Sequence, residues 1–222
     1  MATLGLVHNS PVLAPIFNEI AARVMPDVRI LHFVDESTIK NTIAAGYLQK
    51  ATMRQVIRLV GSTFDAGCDV ALVTCSSIGR AVDMAAKLYD QPVLRVDRAM
   101  AEKAVATGKR IGVIATLSTT LNPTAELVRR VAAEQGKDIE IVEHLCAGAF
   151  DAVMAGDGAT HDRIVSEALT QSLADVDAIV LAQASMARVV AALPEGAVKV
   201  PVLASPELGM LHAAEVLKGL AK

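Results

Sequence analysis

The chain has 222 residues, of which 53% are hydrophobic, 20% charged and only 3% aromatic, with no Trp. Such a chain fits one large domain or two of roughly 100 residues, with a core of Ala, Val, Leu, Ile and Met, and excludes disorder as the main state. Lys plus Arg number 21 against 24 Asp plus Glu, a net charge of −3 without a basic run, which argues against nucleic-acid and anionic-membrane partners.

In chain order, short apolar runs alternate with helical spacing. A strand is expected at 3–7, then a helix at 15–25 stopped by Pro26, then strands at 28–33, 69–74 and 92–96. The second half gives a strand at 110–115 and a helix at 121–135 ended by Gly136. A strand at 139–144, a helix at 162–173, strands at 178–182 and 201–204 and a last helix at 207–220 follow. Runs of four to seven residues rich in Val, Ile and Leu, without polar alternation, fit strands buried on both faces. This order argues for an α/β fold with parallel sheets and right-handed crossovers.

The two halves also match each other. LGLVHNS (4–10) aligns with IGVIATL (111–117), with Gly5 and Gly112 lying 107 positions apart. RILHF (29–33) aligns with EIVEH (140–144) at 111, CDVALVTCSS (68–77) with VDAIVLAQAS (176–185) at 108, and QPVLRVD (91–97) with VPVLASP (200–206) at 109. Four blocks in one order at nearly one spacing read as a duplication. The expected architecture is two pseudo-symmetric lobes, each a mainly four-stranded parallel sheet flanked by helices, with the active site in the cleft between them. The lobes are placed at 1–96 plus 205–222 and at 97–204. In the third block Cys75 falls on Gln183 and Ser77 on Ser185, both just past the C-terminal end of a strand, where open α/β sheets place ligands.

Asp or Glu interrupts every apolar segment well before about 18 residues, so no membrane span is expected. The start MATLGLVHNS lacks a basic stretch followed by a long apolar one, so no signal peptide is expected. Cys68, Cys75 and Cys146 form no CxxC pair and are odd in number; free thiols in a reducing cytoplasm are the simplest reading, and structural zinc is not expected.

VTCSS (73–77), VLAQASM (180–186), GVIAT (112–116) with the hydroxyls behind it, and SPELGMLHAAE (205–215) together resemble the aspartate/glutamate/hydantoin racemase superfamily. That superfamily also contains arylmalonate decarboxylase and maleate isomerase. The resemblance covers nearly the whole chain. It implies an isomerase-type enzyme without a cofactor, acting at the carbon alpha to a carboxylate of a small acid. A thiolate takes a proton from one face and a thiol returns it on the other. Cys75 takes the first catalytic position. The second is Gln183, an amide that exchanges no proton near neutral pH but does donate and accept hydrogen bonds. Three readings stay open: one-face proton transfer as in a decarboxylase, covalent attack by Cys75, or a substitute acid/base from another loop. A small-carboxylate binding protein is the rival from another class.

By the same resemblance, Asn9, Ser10, Ser76, Ser77, Thr116, Ser118, Thr119, Thr120, Ala184 and Ser185 are candidates for substrate binding. For Asn9 and Ser10 and for the run Ser118–Thr120, helix capping is the competing role. His8 in VHNSP is a candidate acid/base because imidazole titrates near neutrality. The helix start beyond Cys75 and its hydroxyls are expected to lower its pKa. Cys68, His32, His144 and His212 are read as structural, Cys146 as structural with a spare-thiol role open, and His161 and Asp35–Ser37 as solvated. No metal site is expected, a small carboxylate is the expected partner, and a homo-oligomer is left open.

Overall fold

Among the described residues, eight parallel strands form two sheets. The structure is a computed structural model that describes residues 1–220, apart from the side chain of Ala184. The first sheet holds β1 (Thr3–His8), β2 (Arg29–Val34), β3 (Val70–Val73) and β4 (Val93–Arg95) in the order β2-β1-β3-β4. The second holds β5 (Arg110–Ala115), β6 (Glu140–Leu145), β7 (Ala178–Leu181) and β8 (Val202–Ala204) in the order β6-β5-β7-β8. The chain divides into two compact units, Met1–Ala99 with the chain from Pro206 onward, and Met100–Ser205.

The strand ladders carry the duplication. Gly5 pairs with Leu31 and Ala71 in the first sheet; Gly112 pairs with Val142 and Ile179 in the second. Ala71 pairs with Val93 and Ile179 with Val202. The spacings between equivalent positions are therefore 107, 111, 108 and 109, those of the sequence blocks. The strand starts repeat as well. Thr3 N–H donates to Asp69 Oδ2 at 2.7 Å, and Arg110 N–H to Asp177 Oδ2 at 2.8 Å. Gly5 and Gly112 are both sites of close approach. A Cβ at Gly5 would lie 2.7 Å from Thr63 Cβ, and one at Gly112 3.1 Å from Leu173 Cδ2.

β1, β3 and β7 are wholly buried, and β5 nearly so, as their unbroken apolar sequences require. The expectation of burial on both faces fails for β2 and β6. These are edge strands, and they place Arg29, His32, Glu140, Glu143 and His144 on partly exposed positions. An edge strand tolerates such residues because one side of its ladder faces solvent.

The helices of the first unit are α1 (Leu13–Val24), α2 (Ser37–Ala45), α3 (Lys50–Asp65) and α4 (Gly79–Ala85). α5 (Arg98–Thr107), α6 (Ser118–Glu134), α7 (Ala149–Met154), α8 (Gly158–Glu167), α9 (Ala187–Ala192) and α10 (Ser205–Leu220) complete the chain. α1 and α10 cover one face of the first sheet, burying Phe17, Ile20, Met210, Ala213 and Leu217 against Leu4, Leu6 and Leu72. α3 and α4 cover the other, with Val56, Val60, Ala81 and Val82 against Val7 and Val73. α3 was not expected because its buried stripe is Thr52, Val56, Val60 and Thr63, half of it polar. The expected helix at 162–173 is α8 continued by a π turn, Ala168–Ser172.

Readings of solvated residues are corrected here for Asp35, Ser37 and His161, while Glu36 is exposed as expected. Ser37 opens α2, and its N–H and hydroxyl donate to Asp35 Oδ1 at 3.0 and 2.6 Å, while Gln55 Nε2 donates to Asp35 Oδ2 at 3.0 Å. His161 is 2% exposed, with Nδ1 2.7 Å from Asp162 Oδ1, and Arg188 grips the same carboxylate. Among the described residues, no helix is long and apolar enough to cross a membrane.

Candidate active site

In a sheet ordered 2-1-3-4 the connections leave the first strand on one side and the third on the other. The crevice beyond the C-terminal ends of those two strands is where open α/β sheets bind ligands. Val7 pairs with Val73, so the loops beginning at Asn9 and Thr74 flank that crevice in the first unit. Ile114 pairs with Leu181, so the loops beginning at Thr116 and Ala182 flank it in the second. The sequence-derived candidates fall in these two pairs of loops or at their edges, His8 as the last residue of β1 and Ser118–Thr120 as the first turn of α6.

In the first unit, the chain leaves β3 through Thr74 and an extended Cys75, then turns through a short 3-10 helix, Ser76–Ile78, into α4. Cys75 is half-buried and packs on the α3–α4 side with Val73 and Ile78. Burial pushes its thiol pKa up. The Ser77 N–H and hydroxyl and the Ile78 N–H, aimed at the sulfur, pull the other way, and the Asp97 carboxylate adds to the rise. The expected lowering is thus corrected: the stabilising dipoles are present, but burial outweighs them. Ser76 and Ser77 are both buried.

Beneath this loop lies an ion cluster that the sequence reading missed. Arg95 Nε and Nη2 donate to the two oxygens of Asp97, each at 2.9 Å, and Nη1 donates to Asp83 at 3.0 Å. Arg95 and Asp97 are 7% and 1% exposed. Burial works against the guanidinium charge, and Asp97 and Asp83 outweigh it, raising its pKa. A Cβ at Gly79 would run into this guanidinium, so the helix start sits directly on it. The available signal was a charged i, i+2 pair, Arg95 and Asp97, at the end of a buried strand.

His8 does not stand open to a substrate. Its Nδ1 is 2.8 Å from Thr74 Oγ1 and its Nε2 2.9 Å from His32 Nδ1, while His32 Nε2 is 2.9 Å from Asn18 Oδ1. Burial, with the neighbouring His32, lowers its pKa to about 4, so the ring is neutral at pH 7, with one nitrogen carrying hydrogen and the other accepting. The structure thus holds His8, expected as a possible acid/base, in a buried hydrogen-bonded chain with Thr74 and His32. His32 is likewise lowered by burial. Asn9 is buried and Ser10 half-buried; α1 is capped by neither, because its N-cap is Val12 without a side-chain bond.

In the second unit, Gln183 leaves β7 and its carboxamide oxygen accepts from Thr116 N–H at 2.6 Å and Thr116 Oγ1 at 2.9 Å. Thr116 was expected to bind substrate directly; its donors are instead engaged by Gln183. The run behind it is not a cap either. The N-cap of α6 is Leu117 without a side-chain bond, and Ser118, Thr119 and Thr120 lie in the first turn. Ser118 is exposed, Thr120 is buried, and the Thr119 hydroxyl is buried without a partner among the described residues. Ser185 is exposed, and Ala184 opens the 3-10 turn Ala184–Met186, its side chain lying outside the described set.

Of the other thiols, Cys146 sits in an apolar cluster, while Cys68 lies near Asp69 and Arg29. Burial pushes Cys146 up to about 11 and also raises Cys68. Among the described residues, no three His, Cys, Asp or Glu side chains converge as metal ligands do.

A model of the family described as Asp/Glu/Hydantoin racemase matches residues 10–213. Glutamate racemase from Francisella tularensis subsp. tularensis, solved with D-glutamate, superposes with a TM-score of 0.77 at 15% identity, covering 99% of this chain and 82% of that one. Allantoin racemase from Klebsiella pneumoniae gives 0.71 at 17% identity, covering 100% and 89%. Aspartate racemase from Picrophilus torridus gives 0.70 at 16%, covering 100% and 94%. No curated protein gives a significant sequence match.

Proposed function

This chain belongs to the Asp/Glu/hydantoin racemase family, and from that premise we propose that it is a racemase/isomerase-type enzyme that needs no cofactor. It acts at the carbon alpha to a carboxylate of a small acid, with Cys75 as its one thiol acid/base. The observation that carries this reading is the pairing of Cys75 with Gln183: equivalent positions past β3 and β7, one a thiol and the other an amide.

A thiol whose pKa is raised rests protonated at neutral pH. It is therefore the proton donor at rest. In the isomerase direction the thiolate form of Cys75 first takes the alpha proton, breaking C–H and forming S–H; the thiol then returns a proton to the carbanion, re-forming C–H and leaving the thiolate. The Ser77 N–H and hydroxyl and the Ile78 N–H then face that thiolate. Gln183 holds hydrogen bonds on its own side and exchanges no proton. Ser118–Thr120 in the second unit are proposed to hold the substrate carboxylate; Asn9, Ser10 and Ser76 are proposed as substrate-binding residues of the first unit, where Asn9 and Ser10 cap no helix.

A second reading, decarboxylation of a malonate-like acid with protonation on one face, is favoured by the amide at position 183. There, loss of CO2 generates the carbanion and only Cys75 must act. Proton-to-deuterium exchange followed by NMR across amino, hydroxy and malonic acids separates the two. Exchange without mass loss supports the isomerase reading and CO2 release the decarboxylase. Neither with any acid, while the acids still bind, would leave a carboxylate-binding protein.

A further inference from the structure

Gln183 is fixed end for end. Two donors, the N–H and the hydroxyl of Thr116, converge on its Oε1 at 2.6 and 2.9 Å. A reversed carboxamide would set its NH2 against the Thr116 N–H, which can only donate, although the hydroxyl could turn to accept; the backbone N–H at 2.6 Å is what fixes the orientation. The Nε2 end is therefore turned away from Thr116. Thr116 is 6% exposed and Gln183 half-buried, so the bonds are shielded from competing water on the Thr116 side.

We propose that Gln183 is a specificity-determining residue that presents only N–H donors to the ligand, and that Thr116 is the positioning residue that locks it so. The loop past β7 then selects a substrate carrying an acceptor oxygen, carboxylate or carbonyl, beside its reacting carbon. It offers no base and no carboxylate-binding Thr116. This rests on the functional reading above, and it changes the part Thr116 plays: it acts through Gln183 and not on the substrate.

The test is malonate binding by titration calorimetry on the full chain, with acetate as the one-carboxylate comparison. The variants are Gln183→Glu, Gln183→Ala, Thr116→Val and Thr116→Ser, with the wild type as reference. Gln183→Glu keeps one oxygen for Thr116 and replaces the outward donors by an acceptor; malonate affinity should fall at least about tenfold, as when a hydrogen bond to a charged group is lost. Thr116→Val changes no charge and should weaken malonate by a smaller factor, which Thr116→Ser restores; a purely structural residue would not show that rescue. The side-chain amide protons of Gln183, identified by their loss in Gln183→Glu, should shift when malonate is added to the wild type. Unchanged affinity in Gln183→Glu would overturn the proposal and leave the functional reading standing. Tighter malonate binding by Gln183→Ala would overturn it in favour of Thr116 as direct ligand. Failure of the wild type to bind either acid would remove both the functional reading and the inference.

Discussion

The loops after β3 and β7 occupy equivalent ladder positions but are held by opposite means. The first is supported from behind by charge. Val73 pairs with Arg95, whose guanidinium bridges Asp97 and Asp83 and carries the start of α4 on Gly79. In the second, Leu181 pairs with Ala204, and Ala187 follows its 3-10 turn where Gly79 follows the first. Ala187 and Ala204 pack against an apolar cluster with Met186 and Val189. That loop is held from the front, by Thr116 on Gln183. The duplication has kept the backbone register while the forces that position each loop have diverged. The thiol is the one held by the directional, buried ion pairs.

The strongest way to break this comparison is Gly79→Ala. The added methyl displaces a guanidinium pinned by two carboxylates, and breaking a buried pair costs about 3–5 kcal/mol. Urea unfolding should show that loss, and a variant of wild-type stability would mean the cluster yields freely. Next is Cys75→Ser, which should lower turnover about 100-fold or more. Cys68→Ser, at a buried thiol outside either crevice, should alter stability alone; steady-state rates with any substrate found by the exchange screen decide it.

Acid should act on the first lobe through His8, whose ladder equivalent is Ala115. His8 titrates lower folded than unfolded, about 4 against 6.5. Its contribution is therefore complete above pH 6.5 and is lost as pH falls toward 4. Over that window the wild type should lose roughly 2–3 kcal/mol that a His8→Gln variant does not lose. Parallel unfolding curves for the two proteins between pH 7 and 4 would contradict it. The smallest expected effect is the gain from Gln183→Cys. A thiol there should give weak alpha-proton exchange, or a mixture of enantiomers where the native enzyme gives one. A misplacement of about 1 Å removes on the order of 100-fold, so the gain is modest. Retention of a single enantiomer with position 183 accessible to thiol labelling would show that it is not the opposing position.

The buried strands were legible because a strand enclosed on both faces must be apolar throughout; VALV and AIVL announce themselves. The edge strands were legible in place but not in exposure, since RILHFV and EIVEHL mix both kinds of residue. α3 was missed because threonine hydroxyls satisfied within the helix bury as apolar residues do: Thr63 Oγ1 donates to the Val60 carbonyl at 2.7 Å. Cys75 and Gln183 were legible only because the duplication set one beneath the other.

The sequence by itself determined the α/β class, the eight strands, the internal repeat with its four spacings, and the two loops that carry Cys75 and Gln183. Those features follow from local burial pattern and from comparing the chain with itself. Only the tertiary structure decided the strand order, and with it the switch-point crevices that collect the candidate residues. It alone joined Thr116 to Gln183 across 67 positions and His8 to Thr74 across 66, and set Gly79 on Arg95. It also reversed the expected direction of the Cys75 shift. The physical reason is the same in each case: hydrogen-bond partners and desolvation depend on what the fold brings alongside a group, which no local window of sequence contains.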